Sequence, residues 1–258
     1  MERELAVDFL LFSVIGASIV DDKDTLLDRS IARAYRDASS RVGYFGDLQI
    51  KKNKEAFKGA CGVLKEEIKQ ATFSNQESFN KWHEKICDGI KPGGSDQTCY
   101  GKAQKWLNMT LKYLAVTYAV LLLFGKTSHP FVKFYEKKLA NAERFFHIPI
   151  DSYVCDALCW SGLLDDNEEG ANPLKESLPV KKENKLLQKQ PSTAASPYDS
   201  YIKSWSQWNK DEYKNCASQL KEQQLDLNWE TRAWIDVARC RALKDPEDRR
   251  DMRNTFKN

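Results

Sequence analysis

Two side chains in the middle of the chain have the types and the placement to do chemistry together. Lys105 lies in a helix-like run, GKAQKWLNMTLKYLAVTYAVLL, from Gly101 to Leu122, and Asp151 opens the segment DSYVCDALCWSGLL with one helix-like segment between them. An amine on a helix face and a carboxylate at another helix's N-terminus suit cleavage of an N-glycosidic bond through a Schiff base. The amine attacks the sugar C1′ of a nucleotide turned out of its stack, and the carboxylate stabilises the oxocarbenium-like charge and handles protons. A lysine in that role has to be neutral, which a partly dry site or the positive end of a helix favours. Plainer roles compete. Lys105 shares a face with Lys102, Asn108 and Lys112 and reads equally as one solvated charge of an amphipathic helix. Asp151 reads as an N-cap, a role worth roughly 1 kcal/mol that is compatible with catalysis at the same residue.

Helical periodicity dominates the elements around this pair. Leu107, Leu111, Leu114, Tyr118 and Leu121 give the 101–122 helix its core stripe. Pro130 suits the first turn of the next helix, with Phe131, Phe134, Tyr135, Leu139, Ala142 and Phe146 facing inward. Pro149 forces His147 and Ile148 out of helix, and Asp151 caps a helix running to about Leu163. Upstream, residues 3–20 form a helix with Leu5, Phe9, Phe12 and Gly16 on one side. Asp24 caps a second helix to Ser40, residues 51–70 a third, and Ser74 caps a fourth. The segment Lys91–Gly101, KPGGSDQTCYG, is turn-rich, either a plain turn or a backbone loop that approaches phosphate. Residues 165–197 are polar and proline-rich and read as a linker or surface loop, and helices return over 198–223 and 229–243. Almost nothing reads as strand, so the fold class is all-α.

Composition narrows the choices further. The chain has 258 residues and a net charge of +3, enough length for a real core and too little charge to demand a nucleic-acid partner. Seven cysteines, an odd number at irregular spacing, point to reduced thiols in a cytoplasmic protein. Cys155 and Cys159 share a helical face as half a metal site, but no second close Cys pair completes it, and buried helix cysteines are the plainer reading. Phe9–Val20 is apolar but too short to span a bilayer. No phosphate-binding Gly-Lys-Ser/Thr motif, Ser/His/Asp order or Cys/His nucleophile pattern stands out. No metal, no cofactor and no membrane partner are expected.

The segment Ile148–Leu164, IPIDSYVCDALCWSGLL, resembles the stretch around the catalytic Asp of helix-hairpin-helix DNA glycosylases, with archaeal 8-oxoguanine DNA glycosylases the nearest in pattern. That family carries a Pro-hydrophobic-Asp turn opening a helix with a Trp-small-Gly-Leu end, preceded by a Lys-bearing helix. The likeness covers mainly residues 101–164. The hairpin differs, with Lys91-Pro92-Gly93-Gly94 well upstream and Gly101 alone beside the helix, and no iron–sulfur cysteine quartet is present. The resemblance implies one multi-helix domain of the glycosylase type; composition and periodicity divide the chain into a 1–164 helical core, a 165–197 linker and C-terminal helices 198–258 packing on the same domain. It implies DNA as partner, Asp151 and Lys105 as catalytic residues, and Gln104, Asn108, Lys112, His147 and Trp160 as candidate substrate contacts. The alternative is a non-catalytic helical scaffold that binds nucleic acid or a protein partner.

Overall fold

Short polar caps set most of the helix starts. In the computed structural model, residues 3–39, 51–91, 100–161, 163–164, 172–179, 202–243 and 245–255 are described, and they form helices and turns with no strand. Helix α1 spans Arg3–Ile15, α2 Lys23–Ala38, α3 Lys51–Gln70, α4 Gln76–Gly89 and α5 Tyr100–Leu123. Helix α6 spans Pro130–Lys138 and runs into a 3-10 turn at Ala140–Phe145; α7 is Ser152–Trp160 and α8 Pro173–Ser177. A 3-10 turn at Trp205–Gln207 precedes α9 (Lys210–Glu222), α10 (Leu227–Ala242) and α11 (Pro246–Asn254).

Two caps differ from those read in the sequence. Asp22, not Asp24, caps α2 by accepting from the Thr25 N–H at 2.7 Å. Asp24 falls inside the first turn and pairs with Lys69 at 2.9 Å. Asn75, not Ser74, caps α4, in a reciprocal box with Ser78. The expected phosphate-approaching loop, apart from its ends, and most of the 165–197 stretch lie outside the described residues. Within that stretch Asn172 caps α8, Pro173 opens it, and Leu174 and Leu178 are buried.

The chain divides into two compact units, Met1–Ser95 with Lys102–Phe146, and Asp96–Gly101 with His147–Asn258. In the first, α2 packs on α1, α3 and α6, and α3 packs on α4. Trp106 is fully buried, its ring centroid 5.1 Å from Tyr35 and its indole N–H donating to the Ile31 carbonyl at 2.9 Å. The apolar stripe of α1 is the reverse of the one read from the sequence. Val7, Leu11 and Ile15 are buried, while Leu5, Phe9 and Phe12 are 59%, 66% and 70% exposed. The helix is apolar around most of its circumference, so periodicity cannot choose its inner face. Gly16, at φ +71°, ends it well short of residue 20. Helix α5 is the one helix among the described residues long and apolar enough to cross a membrane, by length and composition, with 44% of that window buried.

In the second unit α10 packs on α7, α11 on α10, and α9 on α8. Ala157, Trp160, Ala233, Val237 and Cys240 form a buried cluster, with Tyr153, Cys159, Trp229 and Met252 against it. Gly101 sits where no side chain fits. Its N–H donates to the Trp208 carbonyl at 3.0 Å, and an added Cβ would overlap the Trp205 carbonyl oxygen.

Candidate functional site

Lys105 is not a solvated charge. Only 8% of it is exposed, on a turn of α5 whose neighbours Gln104, Trp106, Leu107 and Asn108 are all buried, while Lys102 and Lys112 are half-buried. Burying an amine costs solvation, so a lysine in this position is a costly residue to keep there for bulk alone. Gln104 and Asn108, one turn apart, are tied into the first unit. The Asn108 amide donates to Gln104 Oε1 at 3.0 Å, and Asn108 Oδ1 lies 2.8 Å from His83 Nε2. With Asn108 Oδ1 as acceptor, the His83 proton resides on Nε2. Burial pushes the His83 imidazole down to about 4, so the ring is neutral at pH 7.

Cys87 completes what looks on paper like a Cys–His–Asn relay. Its Sγ lies 3.7 Å from His83 Nδ1 and 3.9 Å from Nε2. Near-equal distances to both ring nitrogens place the sulfur off the Nδ1 lone-pair direction. Cys87 is also fully buried, so no substrate carbonyl can reach it. The cluster is a satisfied polar seam within the core, not a nucleophile and its base.

Asp151 does cap its helix. It follows the buried run Ile148-Pro149-Ile150, adopts extended backbone (φ −146°, ψ −172°), and is 6% exposed. Its Oδ1 accepts from the Tyr153 N–H at 2.9 Å and the Val154 N–H at 3.1 Å. Pro149 cannot prolong a helix through the preceding turn, which fixes where α7 starts. The helix ends at Trp160 rather than about Leu163. The two N–H bonds fix the direction of the carboxylate.

An arginine that the sequence reading missed braces this helix. Arg241, from α10, donates to Asp156 Oδ2 through Nη2 at 2.6 Å and Nε at 3.2 Å, and Nη2 lies 3.2 Å from the Ser152 carbonyl. Its guanidinium stacks 4.0 Å from the Tyr153 ring centroid, and Trp234 stacks on Tyr153 at 5.3 Å. The first turn of α7, and with it the Asp151 cap, is therefore held from one residue far along the chain. Tyr153 and Asp156 at i, i+3 signalled a shared helix face, but nothing local named Arg241 as the partner.

His147 is buried, with Nδ1 2.8 Å from the Tyr213 hydroxyl. Beside it His147, Ile148, Ala217, Leu220, Lys221 and Leu225 enclose a cavity of about 10 Å³, room for one water. Burial lowers the pKa of Lys221 there. Trp160 is 6% exposed, with the Arg253 guanidinium 5.0 Å from its ring centroid. Cys155, Cys159 and Cys216 are free thiols, and burial pushes Cys155 well up and Cys216 up to about 12. Among the described residues no three His, Cys, Asp or Glu side chains converge where a metal ion would sit. Lys105, Gln104, Asn108 and Lys112 belong to the first unit, and His147, Asp151 and Trp160 to the second. Comparison with protein-family models, with curated proteins and with solved structures finds no match to this chain.

Proposed function

We propose that the protein is a DNA glycosylase/lyase-like enzyme that excises a damaged or modified base, with Lys105 as nucleophile and Asp151 as the charge-stabilising carboxylate. The observation that carries this reading is the burial of Lys105 on α5, which removes the solvated-charge explanation. The capped, directed carboxylate of Asp151 after Ile148-Pro149-Ile150 is the second support, because it matches the turn on which the family resemblance rests. In the reaction, the Nζ lone pair forms a bond to C1′ as the glycosidic bond breaks. The base leaves with the bonding pair and takes up a proton. Ring opening then gives the protonated imine that borohydride reduces, and Asp151 balances positive charge at C1′ and carries the proton lost from Nζ.

A second reading is a non-catalytic scaffold that binds nucleic acid or a protein. It is favoured by the commitment of Gln104 and Asn108 to the His83 seam, which engages two of the expected substrate contacts internally. Borohydride trapping on a panel of lesion duplexes separates the two. A covalent adduct lost in Lys105→Ala and kept in Lys102→Ala and Lys112→Ala supports catalysis. Asp151→Asn keeps a good N-cap and is expected to slow base release strongly, whereas Asp151→Ala also costs about 1 kcal/mol of stability. A folded protein that binds DNA but gives neither adduct nor base release on the whole panel fits the scaffold.

A further inference from the structure

We propose that a cleft in the second unit, distinct from Lys105 and Asp151, binds a single unstacked nucleotide that carries an amino-bearing base. The cleft holds about 220 Å³ and is lined by Ala157, Ser161, Trp229, Arg232, Ala233, Asp236 and Thr255. It exists because α7 and α10 meet through alanines: Ala157 and Ala233 are buried and small, so the helices leave space above them. Larger pockets take drug-sized ligands, and this volume suits one planar ring and its substituents.

Four of the lining residues, Trp229, Arg232, Ala233 and Asp236, fall at i, i+3, i+4 and i+7 and so share one face of α10. Trp229 supplies a half-buried indole wall, a surface on which any base can stack. Arg232 is exposed, and no acidic side chain among the described residues pairs with it. Asp236 stands four residues on, the spacing of a helix ion pair, yet its Oδ1 lies 3.6 Å from Arg239 instead. The guanidinium is thus available for a phosphate, in the planar geometry that Arg matches best.

The remaining polar groups are acceptors. Ser161 Oγ donates its proton to the Leu158 carbonyl at 3.2 Å and accepts from the Leu163 N–H at 3.4 Å, and Thr255 Oγ1 donates to the Met252 carbonyl at 2.6 Å. Each hydroxyl still has a lone pair to offer, and Asp236 offers a carboxylate. A stacking wall, one cation and an acceptor rim together recognise a ring bearing an exocyclic amine and linked to a phosphate. Adenine and cytosine nucleotides have that chemistry, and uracil lacks the amine. The ligand is free in solution or part of a single strand, and the two sources present the same group.

Calorimetric titration of the full-length protein tests the site, with AMP, CMP, UMP and adenosine as one arm and a short oligodeoxyadenylate strand and its duplex as the other. AMP and CMP are expected to bind saturably, with UMP and adenosine about tenfold weaker. Arg232→Ala, an exposed change, is expected to weaken AMP about tenfold without moving the melting temperature, and Trp229→Leu to weaken every nucleotide. Tighter binding of the single strand than of AMP, in competition with it, assigns the strand as source, and AMP binding without strand binding assigns the free nucleotide. No binding of any probe at millimolar concentration, binding of the duplex alone, or binding indifferent to both substitutions overturns the proposal. Lys105→Ala should bind AMP normally, so loss of borohydride trapping and loss of nucleotide binding report on two separate sites.

Discussion

Replacing Arg241 with alanine tests whether the first turn of α7 depends on its brace. The Asp156 side chain is 1% exposed and Arg241 32%, so the carboxylate, not the guanidinium, bears the cost of separation. The substitution removes two charge-assisted bonds to Asp156 Oδ2, one bond to the Ser152 carbonyl and the stacking on Tyr153. Breaking a buried pair from one side costs about 3–5 kcal/mol. The carboxylate can escape by taking up a proton, which for an ordinary Asp costs about 4 kcal/mol at pH 7 and about 1.5 kcal/mol at pH 5. The electrostatic part of the loss is therefore capped near about 4 kcal/mol at pH 7 and shrinks as the pH falls. The sign follows from linkage: in the variant, the folded state holds its proton more tightly than the unfolded chain does, so stability declines as pH rises. Urea unfolding followed by far-ultraviolet circular dichroism at pH 7 and pH 5 measures both quantities. The double variant Asp156→Asn with Arg241→Ala should recover part of the loss, because it removes a buried charge. A loss below about 1 kcal/mol at pH 7, or one as large at pH 5 as at pH 7, would refute the reasoning.

Two further outcomes follow from buried groups. His83, held near about 4 by burial against an ordinary value of 6.5, should contribute stability that is complete above pH 6.5 and lost as the pH falls toward 4. That loss amounts to about 3 kcal/mol, and comparing unfolding free energy against pH for the protein and His83→Gln should show a shallower acid slope in the variant. Gly101→Ala should destabilise by about 3 kcal/mol or more, because its Cβ would push against a backbone carbonyl that cannot rotate away; an unchanged urea midpoint would contradict that close approach.

Some of the candidate site was legible because its signals are local. Pro149 three residues after a helical stripe, followed by Asp151, specifies a break and a cap whatever else the chain does, and Asp151 accepts from two backbone N–H groups as that pattern requires. Pro130 likewise opens α6, and the 51–70 pattern gives the bounds of α3. Where two capping residues lie within two positions of one another, as with Asp22 and Asp24 or Ser74 and Asn75, local chemistry accepts either and the fold selects one.

Which face of a helix turns inward is a different kind of question. In α1 apolar residues surround most of the helix, so Val7, Leu11 and Ile15 were no better marked for the core than Leu5, Phe9 and Phe12. In α5 Lys105 read equally as a solvated charge on a face shared with Lys102, Asn108 and Lys112, because polarity is read as exposure unless a partner is known. Asn108 meets His83, on another helix, and Asp156 meets Arg241, far along the chain. The sequence alone determined the all-helical class, the starts of α6 and α7, and the positions of Lys105 and Asp151 on their helices. Tertiary structure alone decided that Lys105 is buried, that Arg241 braces the Asp151 helix, and that alanines leave a cleft beside Trp229. The physical reason is range: capping and periodicity act within one or two turns, whereas burial and ion pairing are settled by side chains that only folding brings together.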